Sequence, residues 1–139
     1  MRNHHPVAAR ALLLVAALAL LVGVTGCGTD DDATAARGVV DAFFAALEGD
    51  DGEKACEQLN PETRAALEDQ EKSACRDAIT QLDLQASDVE RVQVYGRSAM
   101  AELSDGEAAF LDQEQSGWRI SAAGCRPVGD RPYDCELED

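Results

Sequence analysis

The chain has 139 residues, with 27 acidic side chains against 12 basic ones and a formal net charge of −15. That length suits one domain with a modest core. The charge excludes nucleic acid as a partner, because phosphate contacts need clustered Lys and Arg, and it opposes the folded surface lying flat on anionic lipid.

The N-terminus has three parts in a fixed order. Met1–Arg10 carries Arg2 and Arg10 and no acid, Ala11–Val22 is an unbroken run of Ala, Leu and Val, and Gly23-Val24-Thr25-Gly26 leads into Cys27. The apolar run is shorter than the roughly 20 residues that span a hydrocarbon core, so it reads as the h-region of a secretory signal. Val24-Thr25-Gly26-Cys27 resembles the bacterial lipobox. The resemblance implies that residues 1–26 are a cleaved lipoprotein signal peptide and that the Cys27 thiol receives a diacylglycerol. The protein is then anchored at the outer face of the cytoplasmic membrane. Two acyl chains on one residue suffice for stable anchoring.

Cysteine arithmetic agrees. Five cysteines leave one unpaired in an exported chain, and setting Cys27 aside leaves the even set Cys56, Cys75, Cys125 and Cys135. Cleavage also removes both histidines, Arg2 and Arg10 but no acid, so 27 acidic residues face 10 basic ones afterwards.

Residues 27–36 read as the lipidated cysteine followed by a short acidic tether. Gly28–Ala36 is small or charged, without periodicity, and reaches at most roughly 30 Å when extended. Asp30–Asp32 and Asp50-Asp51-Gly52 lack the alternating ligands of an EF-hand loop and read as solvated charge and helix caps. No histidine is left for a mixed zinc site and Cys-x9-Cys is not a zinc spacing, so neither metal nor cofactor is expected.

Residues 37–139 form the expected domain. Val39, Val40, Phe43, Phe44 and Leu47 share one helical face, with Asp32 or Thr34 able to cap the start and Gly49 suited to the C′ position. A short helix over Glu53–Leu59 turns Ala55, Cys56 and Leu59 inward. Asn60-Pro61 restarts a helix, with Asn as N-cap, Pro in the first turn and Glu62 favoured by the dipole. A last helical stretch over Glu71–Leu82 turns Cys75, Ile79 and Leu82 to one side.

The period then changes. Val89, Val92 and Val94-Tyr95 predict a strand ending at Gly96. Ala99–Leu103 and Glu107–Asp112 flank an Asp105-Gly106 hairpin turn. Gln115-Ser116-Gly117 makes the next turn, and Trp118-Arg119-Ile120 begins another strand. Helices followed by three or four antiparallel strands make the class α+β. The tail from Gly124 to Asp139 is poor in folding signals, and a bridge could hold it down. Four cysteines allow three pairings. The local pairs Cys56–Cys75 and Cys125–Cys135 are favoured because each lies within one structural half.

The opening helix with Phe43-Phe44-Ala45-Ala46-Leu47 and Gly49-Asp50 resembles that of the NTF2-like superfamily. So do Ala55-Cys56, Cys75, Trp118-Arg119-Ile120, Ala123-Gly124-Cys125 and Tyr133-Asp134-Cys135 in their order. The chain is similar, over roughly Ala36 to Leu137, to actinobacterial NTF2-like lipoproteins. The resemblance implies N-terminal helices packed on a curved antiparallel sheet that forms a cone, with Phe43, Phe44, Tyr95 and Trp118 as possible pocket-lining residues. Some members of that superfamily are isomerases or dehydratases, and many only bind ligands or partners.

In the enzymatic branch a pocket carboxylate serves as base. The candidates are Asp41 on the first helix and Glu102 or Asp112 in the strands, with Tyr95 as hydrogen-bond donor. No nucleophile elbow, P-loop or dinucleotide fingerprint is present. Trp118 opens a strand after a turn, where packing into the core is the default, as it is for Phe43 and Phe44. The expected function is a membrane-anchored, non-catalytic module that binds a small apolar ligand or an envelope protein. The alternatives are an isomerase- or cyclase-type enzyme and a structural envelope protein.

Overall fold

The computed structural model describes residues 28–139, so the expectations for the signal peptide and for Cys27 lie outside the described residues. Helix α1 runs over Gly28–Glu48. Val40, Phe43 and Phe44 are buried along one side of it and Val39 and Leu47 pack at its margin, as the 3.6-residue period requires. The segment read as a tether is helical as well. Asp30 and Asp31 occupy the first turn, where negative charge suits the helix dipole, and Ala36 is fully buried. The apolar period starts late because the first turn has no apolar partner to meet.

Helix α1 ends one residue later than the glycine suggests. Asp50, with φ 52°, takes the left-handed position in place of Gly49. The Asp50 amide donates to the Leu47 carbonyl at 3.1 Å and the Asp51 amide to the Ala46 carbonyl at 2.8 Å, the paired bonds of a Schellman ending. Aspartate tolerates this backbone because its short side chain can bond locally. Asp51 then caps helix α2, Gly52–Glu57, by accepting the Lys54 amide at 3.1 Å.

Helix α3, Pro61–Glu71, starts as expected, with the Asn60 side chain accepting the Thr63 amide at 2.7 Å. The stretch expected to be helical over Glu71–Leu82 is broken instead. Lys72 adopts a left-handed φ of 52°, a short helix α4 covers Cys75–Ala78, and a 3-10 turn covers Ile79–Gln81. The Glu68 carboxylate accepts the Cys75 amide at 3.1 Å, so the chain reverses where Cys75 must face Cys56. These two residues form one disulfide, with Cα atoms 6.2 Å apart.

Five strands follow as an antiparallel meander in sequence order: β1 Val89–Tyr95, β2 Ser98–Leu103, β3 Ala108–Glu114, β4 Gly117–Val128 and β5 Arg131–Glu138. The fold is α+β with an open sheet. The fifth strand is the tail, which has little pattern of its own and gains order by pairing with β4. Cys125 and Cys135 stand directly opposite each other there and form the second disulfide. It is a cross-strand staple rather than a loop closure.

Gly124, at φ 64°, bulges β4 and switches its phase. Ala123 faces the helices, while Ala122 and Cys125 face the other way. A Cβ at this position would sit 2.7 Å from Leu84 Cδ2, so only glycine fits without movement.

Strand β5 reaches only Ala122 on β4. The earlier part of that edge is taken by the link between α2 and α3. Leu59 bridges Ile120 in parallel, the Asn60 amide donates to the Ile120 carbonyl at 2.9 Å and the Ile120 amide donates to Gln58 at 2.8 Å. The helical half is thereby hydrogen-bonded into the sheet.

Candidate functional site

The face of the sheet turned toward the helices is packed with side chains. Phe43, Ile79, Leu111, Trp118 and Ile120 meet there, and Phe43 and Phe44 stack edge to face with centroids 5.2 Å apart. Phe43 and Trp118, two of the four residues expected to line a pocket, are therefore core. The Trp118 Nε1 and Gln113 Nε2 atoms both donate to Asp32 Oδ1 at 3.4 Å. That bond satisfies the polar end of a buried indole.

Phe44 is also buried, yet its edge reaches an open groove of about 740 Å³ between α1 and the chain leading into β1. Arg37, Asp41, Glu48, Asp88 and Ser104 share that groove. The Arg37 guanidinium donates to the Val89 carbonyl and, at 3.0 Å, to the Glu90 carbonyl. It thus covers the start of the β1 edge, where unpaired carbonyls would otherwise invite another strand. The remaining polar lining is mostly carboxylate.

The face turned away from the helices carries a second, smaller apolar cluster. Ala108, Ala122 and Cys125 are buried in it, and Met100, Phe110 and Cys135 are packed against them. Tyr133 lies edge-on to Phe110 at 5.1 Å between centroids, its hydroxyl directed to Met100 Sδ at 3.8 Å. Tyr133 is 37 % exposed.

A polar run borders this cluster on the β1 side. Tyr95 Oη donates to Gln93 Oε1 at 2.8 Å, and Gln93 Nε2 donates to Glu102 Oε1 at 2.9 Å. Arg91 Nη2 grips both Glu102 oxygens at 2.7 and 2.9 Å. Glu102 beside it pushes the Arg91 guanidinium above its ordinary pKa, first through these bonds and then through its charge.

The carboxylates singled out in the sequence are not brought together. Asp41 lines the groove on α1. Glu102 is engaged by Arg91, and Asp112 accepts the Ser98 hydroxyl at 2.7 Å. Tyr95 is 61 % exposed and reaches Glu102 only through Gln93. Among the described residues no group of three His, Cys, Asp or Glu gathers as a metal site, and no helix is long and apolar enough to cross a membrane.

Sequence reading missed Met100, Phe110 and Tyr133. A signal for them existed: Ala108-Ala109-Phe110-Leu111 is apolar without alternation, as expected for a strand that buries side chains on both faces. Asp32 was read only as a cap, and its bond to Trp118 spans 86 residues, beyond any local pattern.

Comparison of the chain with known protein families, with curated proteins and with solved structures found no match.

Proposed function

We propose that this chain is a lipoprotein anchored through Cys27 at the outer face of the cytoplasmic membrane. Its NTF2-like domain acts there as a non-catalytic module that binds an envelope protein through the outer face of its sheet. The observation that carries the reading is the Met100–Phe110–Tyr133 cluster on the face opposite the helices. Apolar surface on a soluble domain marks a place where a partner is gained. The order of helices followed by an antiparallel sheet supports the NTF2-like assignment. The filled interior favours a protein partner over a small apolar ligand, which needs a concave, largely apolar pocket. The non-catalytic reading draws on the separation of Asp41, Glu102 and Asp112, two of which are already held by other side chains.

Two experiments test this. A photoreactive phenylalanine analogue at Phe110, irradiated in the producing cells, should give a discrete heavier adduct containing an envelope protein. An unshifted band there, together with a small-molecule adduct in native mass spectrometry, would transfer the function to the groove beside Phe44. For the anchor, Cys27→Ser should release the protein from the membrane fraction without unfolding it. A variant that stays membrane-bound would refute lipidation at Cys27.

A further inference from the structure

Helix α1 is seated on the fold almost from its start. Thr29, Asp30 and Asp31 are exposed, but Asp32 bonds to Trp118 and Gln113, Ala36 is buried and Arg37 is fixed to the Val89 and Glu90 carbonyls. The projecting part, Gly28–Asp31, amounts to about 6 Å of helix. A disordered segment of that length would have allowed the domain to tumble. A helical turn continuous with the core transmits its direction.

The end from which α1 projects is well defined. Gln113 and Trp118 flank the β3–β4 turn. The β1–β2 turn is tied to it, because the Gln113 amide donates to the Arg97 carbonyl at 2.8 Å and Arg97 Nη2 donates to the Gln113 carbonyl at 2.5 Å. The hairpin tips at Gly96-Arg97 and Gln115-Ser116 therefore cluster beside the N-terminus of α1. The β2–β3 and β4–β5 turns lie at the opposite end, where Arg126 pairs with Glu107 at 2.7 Å.

Given the lipid at Cys27 proposed above, on which this step rests, we infer that the end formed by the α1 N-terminus and the hairpin tips is the membrane-facing surface. The first turn of α1 acts as a rigid stalk that holds the domain upright on the lipid headgroups. The near end carries both the exposed cation Arg97 and the exposed acids Asp30 and Asp31, so the pose rests on the seated helix rather than on charge. Upright, the Phe110 face runs along the membrane normal and opens sideways, toward a partner standing beside it on the same membrane.

The test uses the full chain, produced in a bacterium that processes lipoproteins, carrying Ser116→Cys at the near end or Asp130→Cys at the far end. Gln115→Cys serves as a second near site. Each protein is labelled with a fluorescent donor and reconstituted in vesicles of phosphatidylcholine and phosphatidylglycerol that contain a headgroup-labelled acceptor lipid. Ser116 and Gln115 should transfer energy several-fold more efficiently than Asp130, because the twelve residues of β4 separate the ends by roughly 30–40 Å. Equal transfer from both ends of an acylated protein would overturn the stalk. So would an unchanged contrast after a flexible Gly-Ser segment is inserted between Cys27 and Gly28, which should erase it. Failure of the anchor itself reads differently: the protein takes up a second label at Cys27 and does not float with the vesicles.

Discussion

Gly52 and Arg76 lie with their backbones in direct contact, so that a Cβ on residue 52 would sit 2.0 Å from the Arg76 carbonyl oxygen. This contact brings α2 against α4 and sets Cys56 facing Cys75. Gly52→Ala forces main chain against main chain and should cost about 3 kcal/mol or more, at the upper end of overpacking effects. Gly38→Ala, within α1 and with nothing within 4 Å of the added methyl, should stabilise by about 0.5–1 kcal/mol. Thermal or urea unfolding of the two variants checks both signs, and an equal effect of the two would show that the approach of α2 to α4 is not a tight one.

The two halves of the fold are also joined at Thr63. This fully buried residue donates its hydroxyl to the Ser121 carbonyl at 2.9 Å, across 58 residues of sequence. Thr63→Val keeps the shape and removes the donor, so it should destabilise by about 1–2 kcal/mol. Asn60→Ala removes the cap of the same helix and should cost about 1 kcal/mol. Denaturant midpoints measure each loss.

The disulfides are expected to act as separate staples. Cys56→Ala and Cys75→Ala should each lose about 2–4 kcal/mol, and the double variant little more than either. The Cys125–Cys135 bridge closes 10 residues against 19 for the other, so its removal should cost roughly 0.6 kcal/mol less on chain-entropy grounds. Additive losses for Cys56 and Cys75 would contradict their pairing.

Neighbouring residues of β3 should behave oppositely. Leu111 is buried among the helices, and Leu111→Ala should cost about 2–5 kcal/mol. Phe110 is only half-buried on the other face, so Phe110→Ser should cost less in stability while abolishing the adduct formed when the photoreactive residue is placed at the neighbouring Tyr133 instead. Loss of the adduct without unfolding, read by circular dichroism, separates the two effects.

Acid should protonate Asp51 late. The Lys54 ammonium bonds to its carboxylate at 2.5 Å and, with the Lys54 amide, holds the Asp51 pKa below the ordinary carboxylate value. A carboxyl lowered on folding adds stability that is present above the unfolded value of about 3.9 and is lost as pH falls through the lower folded value. Asp51→Asn should therefore flatten the acid limb of the stability profile below about pH 4. Lys54 is exposed and Asp51 only half-buried, so the effect is small and salt-sensitive.

Much of the fold was legible in the residues themselves. The 3.6-residue period through Val40, Phe43 and Phe44, the Asn60-Pro61 start of α3 and the turns at Asp105-Gly106 and Gln115–Gly117 are local signals, because each depends on backbone preferences within a few residues. The favoured disulfide pairs could also be named from separation along the chain. The candidate site was much less legible. Trp118 could be a ligand platform or core until Asp32 and α1 closed over it.

The sequence alone thus determined the α+β class, the order of elements and the acidic surface, all of which follow from short-range pattern and composition. Only the tertiary structure decided that Gly28–Ala36 is a seated helix, that the tail becomes β5, and that Met100, Phe110 and Tyr133 meet on one face. Each of these depends on partners dozens of residues away. The Asp32–Trp118 bond, the pairing of β5 with β4 and the phase switch at Gly124 exist only once the chain has closed on itself.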